Sequence, residues 1–589
     1  SYVILPKLPL TPNGKVDRKA LPAPDGELRS QEFVPPQNST EEVLAQIWQE
    51  VLGLQQVGIH DKFFEIGGDS IISIQIVARA QKAGIQLTTK QIFQNQTIAQ
   101  QAAVAGTIKT AQHQQGLVTG EIPLTPIQHW FFEQNLAQMH HFNQSQLLPV
   151  SPQIKPELLS TAVGKILEHH DALRLRFQNT GNSWQQINHS QSETIPFKVV
   201  DLSKLPEAEQ LALLKQTATE QQASLNLTDG CLMQVVLFNL GSQTQGCLLI
   251  IIHHLGVDGV SWRILLEDLF EVYRKLEQGQ TIRLPMKTTA FQDWAVRLLE
   301  YGQSQKLQTE LDYWLNQPWS NIVSLPVDYP QTKADNTVAN AANVTKSLSK
   351  EQTTALLQEV PSAYNTQIND VLLTALVISL GEWMETQTVL IDLEGHGREE
   401  LFAGLDLSRT VGWFTSMFPV QLQRSSGDIG EVLKSVKEQL RGIPEHGIGY
   451  GILRYLSQDE KIRSQLVALP QAQVSFNYLG QFDSNQFQQF SLQGDWELAG
   501  LHQSPQENRA HWLDINSLIV RDQFQVIWTY NSFIHKNSTI TNLAEKYIEA
   551  LQNIIAYCQS LEAGGYTPSD FPVVDLSQEE LDDLLTEIN

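Results

Sequence analysis

Hydrophobic and polar positions change their period several times along this chain. Val43, Leu44, Ile47, Trp48, Val51 and Leu52 fall on one face of a helix. Ser39 and Glu42, just ahead of them, have the spacing of a capping box, so the pattern predicts a helix of about three turns. A second apolar-periodic segment starts near Ser70 and is expected to end at Gly84, where glycine suits a left-handed C-terminus. A third, weaker one runs from Thr97 toward Ala105. Together they predict a small all-α helical bundle over residues 36–106. Beyond Gly120 the texture changes. Strand-like runs, Leu232 to Leu240 and Cys247 to Ile252, alternate with long amphipathic helices such as Ser261 to Tyr273. That is α/β texture, and about 440 residues of it exceed one core, so two lobes are expected, near 121–310 and 311–563.

Turn formers mark the joints. Residues 8–24 read LPLTPNGKVDRKALPAP, too rich in proline for a helix or a central strand, and look like the end of a preceding unit. Residues 31–38 are extended and proline-containing, as a linker would be. A Gln-rich, poorly patterned stretch over 107–120 is a second expected linker. The tail, 564–589, combines a turn segment with an acidic helix and is expected to lead onward or to dock.

Composition narrows the function. With 589 residues, 41% hydrophobic and 18% charged, the chain is an ordinary multidomain folding sequence. A formal net charge of -24 disfavours nucleic acid and anionic membrane surfaces, so neither is expected as a partner. The three cysteines, Cys231, Cys247 and Cys558, are isolated among apolar residues and make neither a metal pattern nor a disulfide framework. That fits a reducing compartment, and without a signal segment or a run long enough to span a membrane the expected location is the cytoplasm.

Candidate chemistry begins at Ser70, in DKFFEIGGDSIISIQIVARA. Gly67 and Gly68 allow a tight turn, Asp69 or Ser70 can cap the helix, and the backbone N–H groups of a helix N-terminus favour a phosphate on Ser70. Most serines after glycines are only caps. Here the motif sits in a domain of about seventy residues with no other chemistry, which points to covalent attachment. Gly67-Gly68-Asp69-Ser70, flanked by Phe63-Phe64 and Ile71, resembles the carrier-protein domain of nonribosomal peptide synthetases. The resemblance implies that a phosphopantetheinyl transferase loads Ser70 with 4'-phosphopantetheine from coenzyme A. Residues 10–22 are similar to the last motif of an adenylation domain, with Lys15 at its mobile lysine. Residues 1–30 are thus expected to be a remnant of that domain, whose body would be the upstream partner.

Two further constellations lie in the α/β region. CLLIIIHHLGVDGVSW ends a buried strand on His253 and His254, and successive strand residues point to opposite faces, so the pair is poorly placed to share a metal. No metal site is expected. The HHxxxDG spacing resembles condensation domains, two-lobed enzymes of the chloramphenicol-acetyltransferase-like superfamily. That likeness implies that His254 faces a central tunnel, that His253 is structural, and that Asp258 organises the turn through an ion pair. DLEGHGRE, residues 392–399, is again a strand end opening into a glycine loop, with glycines either side of His396 leaving room near Glu394. Most glutamates are simply solvated. This string, however, resembles the signature of epimerisation domains, and ordinary condensation domains lack the glutamate. PIQHWFF from Pro126, NTQINDVLLTAL from Asn365, RTVGWFTSMFPVQL from Arg409, HGIGYGILRYL from His446 and SFNYLGQFD from Ser475 resemble segments of the same family, apart from His446, where a lysine is common.

The resemblance implies cofactor-independent epimerisation at Cα of a carrier-bound aminoacyl or peptidyl thioester, in peptide antibiotic biosynthesis. Glu394 and His254 would be acid/base groups on opposite sides of Cα, with Tyr478 and Asn477 donating to the enolate oxygen or relaying protons. His396 is expected beside the site. A downstream condensation domain or module would take the product. The alternatives are a condensation-type acyltransferase and a noncatalytic recruitment domain.

Overall fold

A computed structural model describes residues 33–107, 114–181, 183–190, 194–330, 336–482, 498–560, 563–571 and 577–588. The expected adenylation remnant, with Lys15, lies outside these residues.

The first unit is a bundle of helices, Ser39–Leu52, Ser70–Lys82, Thr89–Gln94 and Ile98–Val104. Its own core gathers Leu44, Trp48, Phe63, Ile76, Leu87 and Ile98. The first helix is capped one residue earlier than its spacing suggests. Asn38 accepts the Glu41 N–H, and Glu41 reaches back to the Gln37 N–H. An asparagine before Ser39 supplies the carbonyl oxygen that a cap needs, which displaces the serine. The pattern underrated two short helices, each closed by a capping box, Thr88 with Gln91 and Thr97 with Gln100. Gly84 ends the second helix region with φ +85°.

The stretch expected as a loose linker is firmly seated from residue 114 onward. Gln115 exchanges two hydrogen bonds with the Lys287 backbone, Val118 is buried, and Gly120–Ile122 pairs with Trp184–Asn188. Polar composition hid this, because the contacts are made by the amide side chain itself.

Two lobes follow. In the first, strands are ordered Asn143–Val150, Gly246–His253, Met233–Asn239 and Phe197–Asp201. In the second, six strands run in the order Ala341–Ser347, Gln523–Asn531, Leu513–Val520, Val474–Phe482, Thr388–Gly395 and Ser416–Gln423. Helix Ile368–Met384 and helix Asn537–Cys558 pack on each other beside this sheet, and the former is apolar nearly all round because it is buried. One continuous apolar cluster joins residues of both lobes.

A polar staple crosses that cluster. Asp258 caps helix Gly259–Glu277 through the Ser261 N–H at 2.7 Å, and also accepts the Phe414 N–H at 3.1 Å. Arg398, from the second lobe, grips the same carboxylate with both terminal nitrogens at 3.1 Å and lies 3.9 Å over the Phe414 ring. Gly397 makes this approach possible: its φ is +66°, and a Cβ there would overlap the Phe414 carbonyl oxygen. Both charged side chains are buried, at 1% and 7% exposure. Removing one partner strands the other charge, so Arg398→Leu is expected to destabilise the two-lobed unit by roughly 3–5 kcal/mol. Urea unfolding followed by tryptophan fluorescence measures it, and an unchanged midpoint would show that the pair does not hold the lobes together.

Candidate functional site

Strand Gly246–His253 delivers two histidines to different environments. His253 is fully buried; its Nε2 donates to the Met139 carbonyl at 2.8 Å and its Nδ1 accepts the Leu255 N–H. Burial pushes its pKa down to about 3, so it stays neutral and holds the turn. His254 opens the next short turn, with its ring 4.2 Å from the Trp413 ring and 5.7 Å from Phe142. Burial lowers its pKa as well.

Glu394 stands where two parallel strands part. Thr388–Gly395 pairs with Val474–Phe482 only at Asp392 with Ser475 and Leu393 with Phe476. The next rung would be Glu394 with Asn477. There the ladder stops and the side chains take over: the Asn477 amide donates to Glu394 Oε2 at 2.8 Å. The strands part at their carboxyl ends, the side of a sheet on which α/β folds place ligands. Burial pushes the Glu394 carboxyl up to about 7, with Asp514 and Asp392 adding to the rise and His511 opposing it.

His511 is a component that sequence reasoning missed. Its Nε2 lies 2.8 Å from Asp392, its Nδ1 3.5 Å from Asp514, and Asp514 is held in turn by Arg509 and by the Ser475 hydroxyl. Burial opposes charge on the ring, but these two carboxylates outweigh it and hold His511 up to about 10. A buried imidazolium therefore sits behind Glu394. Asp392 and Glu394, two apart on one strand, share a face.

The glycine loop after Glu394 carries two further groups. His396 Nδ1 accepts the Arg398 N–H, and His396 Nε2 lies 3.6 Å from Glu399. Glu399 is also 2.9 Å from His446, which it biases toward the charged form. The unusual histidine thus keeps an ion-pairing role.

The helical domain docks on the strand that holds Asn477. Asp69, the cap of the helix that Ser70 begins, accepts from the Tyr478 hydroxyl at 3.3 Å. Gln481 donates to the Gly67 carbonyl at 2.8 Å, and Ile71 packs on Gly480. The parallel register with Leu513–Val520 slips between Tyr478 and Gln481. Asn477 and Tyr478 point to opposite sides of the strand. Asn477 meets Glu394, and Tyr478 meets the residue next to Ser70. Glu400 anchors the far edge by accepting from the Thr89 hydroxyl and the Lys90 N–H.

Ser70 is partly exposed at the first position of its helix, outside the bundle core, so a group attached to its hydroxyl fits there. A cavity of about 340 Å³ lies between the lobes, lined by Trp130, Asp392, Trp413, Met417, Tyr450 and Arg454 among others. Among the described residues, His169, His170 and Asp268 have metal-like spacing, but His170 and Arg409 already occupy the Asp268 carboxylate. No helix among them is long and apolar enough to cross a membrane.

Comparison with known proteins agrees with this geometry. Residues 42–105 match the phosphopantetheine attachment site family, and residues 118–573 match the condensation domain family. A linear gramicidin synthase of Brevibacillus parabrevis is 50% identical over 594 residues, 99% of this chain but 8% of that protein. Gramicidin S synthase 1 of Brevibacillus brevis is 40% identical, over 99% of this chain and 53% of its own length. The chain thus spans only part of these relatives. The solved epimerization domain from the third module of tyrocidine synthetase B superposes with a TM-score of 0.70 and 38% identity, covering 76% of this chain and 98% of that one. The starter condensation domain of rhizomide synthetase, at 16% identity and a TM-score of 0.55, shares the fold. With a carrier domain of the phosphopantetheine type leading into a two-lobed unit of the epimerization type, this chain belongs to the condensation domain family of the nonribosomal peptide synthetases.

Proposed function

We propose that this chain interconverts L and D configuration at Cα of an aminoacyl or peptidyl group tethered to Ser70. One observation carries the reading: Asn477 holds Glu394 while its neighbour Tyr478 holds Asp69, so a single strand step links the carboxylate to the loading serine. Phosphopantetheine on Ser70 supplies a thiol that carries the substrate as a thioester, whose carbonyl acidifies the α-proton. Asp69 and the helix N-terminus hold the attachment point against the second lobe.

Glu394 is suited to take or return the α-proton because its pKa, near 7, lets both forms exist at neutral pH. The His511 cation, clamped by two carboxylates, keeps that value from rising further. Asn477 fixes the carboxylate's direction, and the other hydrogen of its amide would steady charge that develops on the thioester carbonyl. His254, kept neutral by burial and wedged against Trp413, is the second acid/base group, so the two would serve opposite faces of Cα. The synthetase partners follow from this reading: an adenylation domain to load the arm and a condensation domain to accept the product. Condensation by the same fold would need no acid/base carboxylate at Glu394.

Chiral analysis of the thioester hydrolysed from loaded protein should give an L/D mixture; a new amide bond with unchanged configuration would favour the acyltransferase. Ser70→Ala should show no phosphopantetheine mass increment after treatment with a phosphopantetheinyl transferase and coenzyme A. Glu394→Gln should slow deuterium wash-in at Cα by about 10²–10⁴-fold, the usual worth of a positioned acid/base group. In the wild type the carboxylate form grows as pH rises through about 7, so wash-in into the substrate enantiomer from which Glu394 removes the proton should rise there. Replacing the cation in His511→Gln leaves Asp392 and Asp514 to raise the Glu394 pKa unopposed, and the rising limb should move to higher pH. A limb that stays put would remove His511 from this role.

A further inference from the structure

His254 has a defined partner at each ring nitrogen. Nδ1 lies 2.9 Å from the carbonyl oxygen of Val257, which can only accept, so Nδ1 carries a hydrogen. Nε2 lies 2.9 Å from the side-chain nitrogen of Gln144. The orientation of that amide is set from its other end. The Trp262 indole N–H, which can only donate, lies 2.7 Å from Gln144 Oε1. With its oxygen committed to Trp262, the amide must present its NH₂ group to the imidazole. Every donor in the row Trp262, Gln144, His254, Val257 then meets an acceptor only if Nε2 of His254 bears a lone pair.

The alternatives all fail on the same count. A hydrogen on Nε2 would face the Gln144 NH₂, donor against donor. Turning the amide over would relieve that clash and create another against the Trp262 N–H. The remaining surroundings offer the ring little help in holding charge. Its faces meet Phe142 and Trp413, and Asp258, the nearby carboxylate, is already gripped by Arg398. His253 and His502 are themselves kept neutral by burial, and the Arg398 charge is matched by Asp258.

We infer that Gln144, oriented by Trp262, is a positioning residue that fixes His254 as the neutral tautomer with its lone pair on Nε2. This rests on the proposal that His254 exchanges the α-proton, and it gives that proposal a starting state. The lone pair is capped at rest by the Gln144 amide, and the substrate's Cα–H competes for it. When His254 takes that proton, the Cα–H bond breaks and an Nε2–H bond forms, while on the other face protonated Glu394 gives up its O–H hydrogen to form the new Cα–H bond. The enzyme is left with imidazolium and carboxylate, the mirror starting state for the reverse direction. The Gln144 frame opposes that imidazolium and so favours return to neutral His254.

The test is nitrogen NMR on the full chain labelled with 15N-histidine, with His254 signals assigned by their loss in His254→Asn. Wild type should show Nδ1 as the protonated nitrogen and Nε2 as the bare one, with a titration midpoint below the ordinary value of about 6.5. Gln144→Glu replaces a donor by a carboxylate that accepts, so the midpoint should rise by about one unit or more. Trp262→Phe, which keeps an aromatic ring but frees the amide to turn over, should raise it by less. A hydrogen found on Nε2 in wild type, or a midpoint unmoved in both variants, overturns the inference. The signals are read without turnover, so expected tautomers in a protein that never exchanges Cα–H would count against the epimerase reading alone.

Discussion

The buried pair between Asp258 and Arg398 is the contact on which the site depends. Asp258 starts the helix that follows the histidine turn, and Arg398 ends the glycine loop that follows Glu394. One bidentate contact thus sets the relation between the turn bearing His254 and the strand end bearing Glu394. Taking both charges out of water is costly, and their mutual attraction offsets that only with good geometry and further hydrogen bonds. Ser261, Thr410 and the Phe414 N–H supply those bonds, and the Phe414 face covers the guanidinium. An apolar pair could hold two lobes as firmly, but it would not fix an orientation through directional bonds.

Around that staple, the electrostatics of the two lobes differ in kind. On the first, burial and neutral hydrogen-bond partners lower the proton affinity of His253 and His254. On the second, burial lifts the proton affinity of Glu394 into the neutral range, and a row of charges, Arg509, Asp514, His511 and Asp392, runs behind it. Desolvation alone would favour the acid form of the glutamate. A neighbouring cation moderates it, so the site uses burial and charge together to set one pKa.

How much of this was readable from sequence follows from chain distance. Ser70, His254, Glu394 and the Asp258 turn each sit in a short string whose local geometry suggests chemistry, and the α/β lobes announce themselves by the change of period after Gly120. Gln144 and His254 are 110 residues apart, Arg398 and Asp258 140, His511 and Asp392 119. Only strand order and loop closure bring these pairs together, and no period or spacing carries that information. Two features are set locally. Asn38 outcompetes Ser39 as a cap, and Tyr478 faces the carrier because successive strand residues point to opposite sides and Asn477 takes the side of Glu394.

That bulged strand has a thermodynamic consequence. It touches the carrier through Tyr478 and Gln481 and Glu394 through Asn477. Any shift that seating the carrier produces in the proton affinity of Glu394 must reappear as an equal factor in the affinity for the carrier when that proton binds or leaves, because linkage is reciprocal. Occupancy of the dock and the charge of the glutamate are then two readings of one equilibrium.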